Sequence, residues 1–158
     1  DWTLQINSLF KLKLFKILIT IAIIFNFTAC EKKVSTEVKE IHWDRDMCSR
    51  CVMVVSDRNH TVQISNPENG ITHVFDDIGC TILWFRDQNI KWKDNAVIWI
   101  NDIKTGKWIN ARTAYYDTMN LTPMAYGFGA HEIKEEIQEG LEIIDFNEVE
   151  KRVLEMEK

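Results

Sequence analysis

The sequence predicts an α+β fold of two ββα-type units with small antiparallel sheets, packed as a single compact domain. Three observations lead there. Short β-branched runs come in pairs around turn signals, a segment of helical period opens on an acidic pair, and the chain ends on an amphipathic helical repeat.

Taken in order, residues 52–56 and 60–65 are β-branched runs separated by Asp57-Arg58-Asn59, and residues 71–75 form another after the turn cluster Asn66-Pro67-Glu68-Asn69-Gly70. Asp76 and Asp77 then open a helix, because acidic side chains there cap free N–H groups and favour the helix dipole. Ile78, Ile82 and Phe85 form its apolar stripe. Residues 96–101 and 107–110 flank Lys104-Thr105-Gly106 as a second hairpin. A short helix is expected over 111–117, a strand or loop over 124–128, and a helix over 131–139. Phe146, Val149, Val153 and Met156 repeat at helical spacing in the last one. The hairpin that leads into Val74-Phe75-Asp76-Asp77 has an echo in the hairpin that precedes Gly127-Phe128-Gly129-Ala130-His131, with a helix expected after each. This echo is the reason for two units.

The N-terminal region sets the compartment. Lys11, Lys13 and Lys16 precede an apolar run from Ile17 to Phe25, and Asn26-Phe27-Thr28-Ala29 leads to Cys30. A basic n-region, a short h-region and small residues before a processing point make a secretory signal, shorter than the ~20 apolar residues of a membrane span. Cys30 after small residues resembles a bacterial lipobox, with Phe27 in place of the usual Leu. The expected organisation is a lipoprotein signal peptide over 1–29, an acylated Cys30 with a flexible charged tether over 30–45, and a metal-binding domain over 46–158. The protein is then exported, lipid-anchored to a bacterial membrane and facing the periplasm. The formal net charge of −5, with an acidic C-terminal region, argues against a nucleic-acid partner.

Sulfur chemistry carries the functional signal. Cys48-Ser49-Arg50-Cys51-Val52-Met53 places three sulfur side chains in six residues. Thiolates and thioethers select soft metals, Cu(I) above all. With Cys30 acylated, Cys48, Cys51 and Cys80 remain, and an odd number of thiols cannot all pair within one exported chain. Cys80 lies early in a helix, where the dipole lowers a thiol pKa. His131 is the best placed of four histidines for an imidazole ligand. Asp76 and Asp77 look like an acid–base pair, although capping the helix is their simpler job.

Four segments resemble the NosL family, lipoproteins accessory to nitrous oxide reductase: Asp46-Met47-Cys48-x-x-Cys51-Val52-Met53, Phe75-Asp76-Asp77-Ile78-Gly79-Cys80, Trp108-Ile109-Asn110-Ala111, and Thr122-Pro123-Met124 followed by Gly127. The resemblance runs from Asp46 to His131. It implies a periplasm-facing Cu(I) chaperone for the copper centres of nitrous oxide reductase in denitrification, on a ββα fold also seen in organomercurial lyase. The partners implied are the maturation machinery of that enzyme: a copper-accepting periplasmic protein and a transporter complex. The family's C-x-M element falls on Cys51 and Met53, and its T-P-M element on Met124. These three are the expected ligands, with Cys48, Cys80 and His131 as possible additions. Val52 and Ala125 stand where the family commonly has Gly, a residue used for positive φ or close approach.

Two apart on a strand, Cys51 and Met53 would face the same side, and Met124 would close the site from the other unit. Cys48 is then either a spare ligand or a redox latch. Two other classes compete. Cys48, Cys51, Cys80 and a histidine would make a tetrahedral structural zinc site. An enzyme, either a thiol oxidoreductase or a lyase of the organomercurial type, is the third. C-x-x-C here lacks the βαβ context of thioredoxin chemistry, and a lyase built on Cys51, Cys80 and Asp77 would leave Met53 and Met124 idle. The expectation is a binding protein and not an enzyme.

Overall fold

The computed structural model describes residues 13–16 and 34–157. The chain divides into one unit over Asp1–Lys33 and a second over Val34–Lys158. In the first, residues 13–16 form a helical turn; most of the expected signal, and Cys30 with it, lies outside the described residues. Among the described residues no helix is long and apolar enough to cross a membrane.

The second unit is an α+β domain. Its strands are β1 (Val62–Ser65), β2 (Thr72–Phe75), β3 (Val97–Asn101), β4 (Trp108–Asn110), β5 (Tyr115–Asp117) and β6 (Gly129–His131). Helix α1 (Ile78–Asp87) follows β2, and α2 (Phe146–Met156) ends the chain. An antiparallel four-stranded sheet runs β2-β1-β3-β4, and β5 and β6 form a second antiparallel pair. The first ββα unit is β1-β2-α1. The second half of the chain lends its hairpin β3-β4 to the same sheet and adds the smaller sheet and α2.

Register explains the core. Ile64 sits between His73 and Ile98, and Val62 between Phe75 and Ile100, so these side chains share the sheet face that α1 covers. Helix α1 is buried from Ile78 through Phe85. Helix α2 packs on it through Phe146, Val149 and Val153, each burial stabilising by roughly 1.5–3 kcal/mol. Met156 falls outside that stripe and is exposed.

The opposite sheet face explains why Gln63 is buried in a central strand. Its amide donates to the Lys39 carbonyl at 2.7 Å and accepts the Lys39 N–H at 3.0 Å, while Trp99 Nε1 donates to the Thr36 carbonyl at 2.9 Å. The described part of the stretch expected as a free tether is therefore laid along the sheet, and the compact unit begins at Val34. Polar side chains that would be stranded on a covered face find backbone partners there.

Three local expectations change. Residues 52–56 are not a strand; only an isolated bridge, Met47 to Val54, forms there. Residues 111–117 are not a helix. The Asn110 side chain accepts the Arg112 N–H in an Asx turn, and Tyr115–Asp117 then pairs with Gly129–His131. The expected helix over 131–139 is likewise absent. His131 belongs to β6, the Glu132 N–H is taken by Asp102 Oδ2 at 2.9 Å, and only a 3-10 turn at Lys134–Glu136 remains.

Candidate metal centre

The site is assembled from three pieces of local structure. The first is a tight hairpin over residues 47–54. The Cys48 N–H donates to the Met53 carbonyl at 2.8 Å and the Val52 N–H to the Cys48 carbonyl at 3.0 Å. To close this turn Val52 adopts φ 62, a left-handed conformation that is rare for a β-branched residue. The closure folds Cys51 back beside Cys48. The Ser49 N–H docks the hairpin on β2 by donating to the Val74 carbonyl at 2.8 Å.

The second piece is the strand-to-helix junction. Asp77 is the N-cap of α1, accepting the Gly79 N–H at 3.0 Å. Its neighbour Asp76 points to the hairpin instead, with the Cys51 thiol donating to Asp76 Oδ2 at 3.4 Å. In the first turn of α1, Cys80 faces the same space. The ligand atoms of Cys48, Cys51, Asp76 and Cys80 all lie within 4.8 Å of one another. Cys48, Asp76 and Cys80 are buried, whereas Cys51 is partly exposed, so the cluster reaches solvent on the Cys51 side.

The third piece is the loop that carries Met124. Thr122 Oγ1 donates to Asp77 Oδ2 at 2.6 Å and the Met124 N–H donates to the same oxygen at 3.2 Å. Ala125 takes φ 60 to complete the turn. The Tyr126 ring lies so close over Gly79 that a Cβ there would stand 2.1 Å from a ring carbon. Asp77 thus caps α1 and at the same time ties the Met124 loop to the end of the helix that carries Cys80.

Electrostatics divide the thiols. Cys48 is lowered to about 4, chiefly by the hydrogen bond from the Cys80 thiol and further by backbone hydrogen bonds from Cys51, Asp76 and Arg50, against the cost of burial. Cys80 is raised as the proton-holding partner of that bond, with burial adding to it. Burial pushes the Cys51 thiol up to about 11. Burial, with the Cys48 charge nearby, pushes Asp76 up to about 6. The metal-free cluster is one thiolate beside two thiols that keep their protons, with the Asp76 carboxyl ionising as pH rises through about 6. A soft cation that displaces those protons would convert the repulsion into coordination.

Of the residues expected from sequence, Cys48, Cys51 and Cys80 come together. Met53 sits on the hairpin with its side chain half exposed, not on a strand, so the shared strand face expected for Cys51 and Met53 does not exist. Met124 is half-buried against the core on the loop that Asp77 anchors. His131 is not in the cluster; it is buried in β6 with Nε2 2.8 Å from Asp117 Oδ2. Asp76 is the member that sequence reasoning passed over as a helix cap. Its spacing four residues ahead of Cys80, across a helix start, was the available signal.

No protein-family model and no curated protein sequence matches this chain. Among solved structures, the chain is similar in fold to the crystal structure of the copper chaperone NosL from Shewanella denitrificans, with a TM-score of 0.60 and 14% sequence identity over 72% of this chain and 96% of that one. The likeness is one of fold: a small α+β domain with small antiparallel sheets, in which this chain places a cluster of three cysteines and an aspartate.

Proposed function

We propose that this chain is a lipid-anchored, periplasm-facing Cu(I) metallochaperone that supplies copper for the assembly of nitrous oxide reductase. The observation that carries the proposal is the cluster of Cys48, Cys51 and Cys80, with three sulfurs close enough for one ion and one of them reaching the surface. Thiolates suit Cu(I), and two or three of them hold it at low coordination number. Met53 on the hairpin and Met124 on the anchored loop are thioethers from the two segments that flank the cluster, and they would add to the sulfur set. The fold likeness to a copper chaperone and the four motif segments support the same reading. A partly exposed Cys51 suits delivery, because an acceptor's thiol needs one ligand that it can replace first.

The test is anaerobic competition of the reduced protein against a Cu(I) chelator. Uptake of about one Cu(I) is expected, weakened strongly by Cys51→Ser or Cys80→Ser and less by Met53→Leu or Met124→Leu. Affinity unchanged in both cysteine variants would defeat the proposal.

A second reading rests on Asp76. A carboxylate among three thiols completes a tetrahedral set of the kind zinc accepts. Zinc binding that displaces Cu(I), with folding that depends on it, would favour a structural zinc site. Catalytic turnover of a disulfide or an organomercurial substrate would favour an enzyme.

A further inference from the structure

We propose that Cys48 and Cys51 form a reversible disulfide by exchange with disulfide-class oxidants, a modification that removes two of the cluster's three sulfurs and leaves Cys80 as the remaining thiol. The consequence for metal rests on the Cu(I) reading above; the modification itself does not.

The geometry points to this pair over the other two. Cys48 and Cys51 are held in one turn by the Cys48 N–H bond to Met53 and the Val52 N–H bond to Cys48, with their sulfurs within 4.8 Å, so joining them ties together a single short segment. Cys80 belongs to the first turn of a fully buried helix face, and pairing it with either partner would pull on the α1 cap that Asp77, Thr122 and Met124 share. Exposure sets the order of events. Cys51 alone among the three is open to solvent, whereas Cys48 is 1% exposed and Cys80 0%. A small or protein disulfide therefore meets Cys51 first.

Asp76, which accepts the Cys51 thiol hydrogen at 3.4 Å, takes its proton as the sulfur attacks. The oxidant's S–S bond breaks, one thiolate leaves, and Cys51 carries a mixed disulfide. The Cys48 sulfur, held in the same turn and within 4.8 Å of the Cys51 sulfur, then attacks the Cys51 sulfur and expels the second thiolate. Two electrons pass from the protein sulfurs to the oxidant. The released thiolates take one proton from Asp76 and one from solvent, to which the Cys48 proton was lost, so the net exchange is a protein dithiol for a protein disulfide and two free thiols.

With Cys48 and Cys51 joined, only Cys80 and Asp76 of the cluster remain as donors, and Cu(I) binding is expected to be lost. Reduction would restore it, so copper loading would follow the reducing power available at the membrane surface.

The experiment treats reduced, metal-free protein with oxidised glutathione without air, blocks remaining thiols by alkylation and digests with trypsin. Cleavage at Arg50 separates the two cysteines, so the expected product is residues 46–50 joined to residues 51–58 by a disulfide, with Cys80 alkylated. Cys48→Ser should stop with glutathione on Cys51, and Cys80→Ser should still give the joined peptides. A linkage through Cys80 in the unmodified protein, or no linkage at all, would overturn the proposal. Cu(I) bound beforehand should block the reaction. Joined peptides from a chain that binds no Cu(I) would support the disulfide while removing the metal reading; Cu(I) binding without joined peptides would do the reverse.

Discussion

Asp76→Asn separates the stability of the metal-free domain from its capacity to bind metal. Asp76 is 2% exposed, and burial with the neighbouring Cys48 charge raises its carboxyl from 3.8 to about 6. A raised value means that the folded state holds this proton more tightly than the unfolded chain does. The resulting stability is fully present below about pH 3.8 and is lost as pH rises through about 6. A gap of that size corresponds to roughly 3 kcal/mol of folding free energy given up at neutral pH, an upper bound because Cys48 titrates with it. Asparagine has nearly the same shape and cannot ionise. Urea unfolding of the reduced, metal-free proteins should show a variant-minus-wild-type difference that grows by about 1–3 kcal/mol in the variant's favour between acidic and neutral pH. His73, whose pKa burial lowers, changes both proteins alike and cancels from the difference. A difference that does not vary with pH, or a variant less stable than wild type at neutral pH, would refute the idea that the empty cluster strains the fold.

Other substitutions probe the frame around the cluster. Val52→Gly should stabilise the domain by roughly 0.5–1 kcal/mol in denaturant unfolding, since left-handed backbone costs a non-glycine residue about 1–2 kcal/mol and the added chain entropy offsets only part of that gain. Val52 is 62% exposed, so little packing is lost with its side chain; a loss of stability would mean that the turn does not depend on this conformation. Gly79→Ala should cost about 1–3 kcal/mol, because a new methyl would overlap the Tyr126 ring near its base. It should also weaken Cu(I) retention by moving the Met124 loop, and an unchanged melting temperature would contradict that packing. Thr122→Ala should lower the melting temperature by removing the 2.6 Å bond to buried Asp77, an effect of about 1–3 kcal/mol.

Much of this fold and part of the site could be read from the residues. The helix after Asp76-Asp77, the hairpin around Lys104-Thr105-Gly106 and the final amphipathic helix follow from capping, turn chemistry and period, all of which are local. Residues 111–117 and the start of 131–139 depart from helix because of distant partners: Tyr115–Asp117 and Gly129–His131 become strands by pairing 12 to 16 residues apart, and Asp102 takes the Glu132 N–H, which overrides weak helical preference. Cys48, Cys51 and Cys80 were legible as sulfur ligands. The position of Cys51 relative to Met53 was not, because it depends on the left-handed backbone at Val52. The family resemblance pointed to that feature, since glycine is common at this position and at Ala125, and both residues take positive φ here. Asp76 was hidden because two adjacent aspartates before a helix look alike in sequence. Only the docking of the 47–54 hairpin onto β2 assigns one to the cap and the other to the thiols.

Whether the three thiols form a copper site is tested most directly by offering the reduced protein Cu(I) and zinc together, without air, in equal amounts against a chelator of known strength for each. Retention of about one Cu(I) with sulfur-only coordination in the copper X-ray absorption spectrum, lost in Cys51→Ser and Cys80→Ser, is the expected result. Zinc retained in preference to Cu(I), or copper bound through nitrogen and oxygen alone, would contradict it.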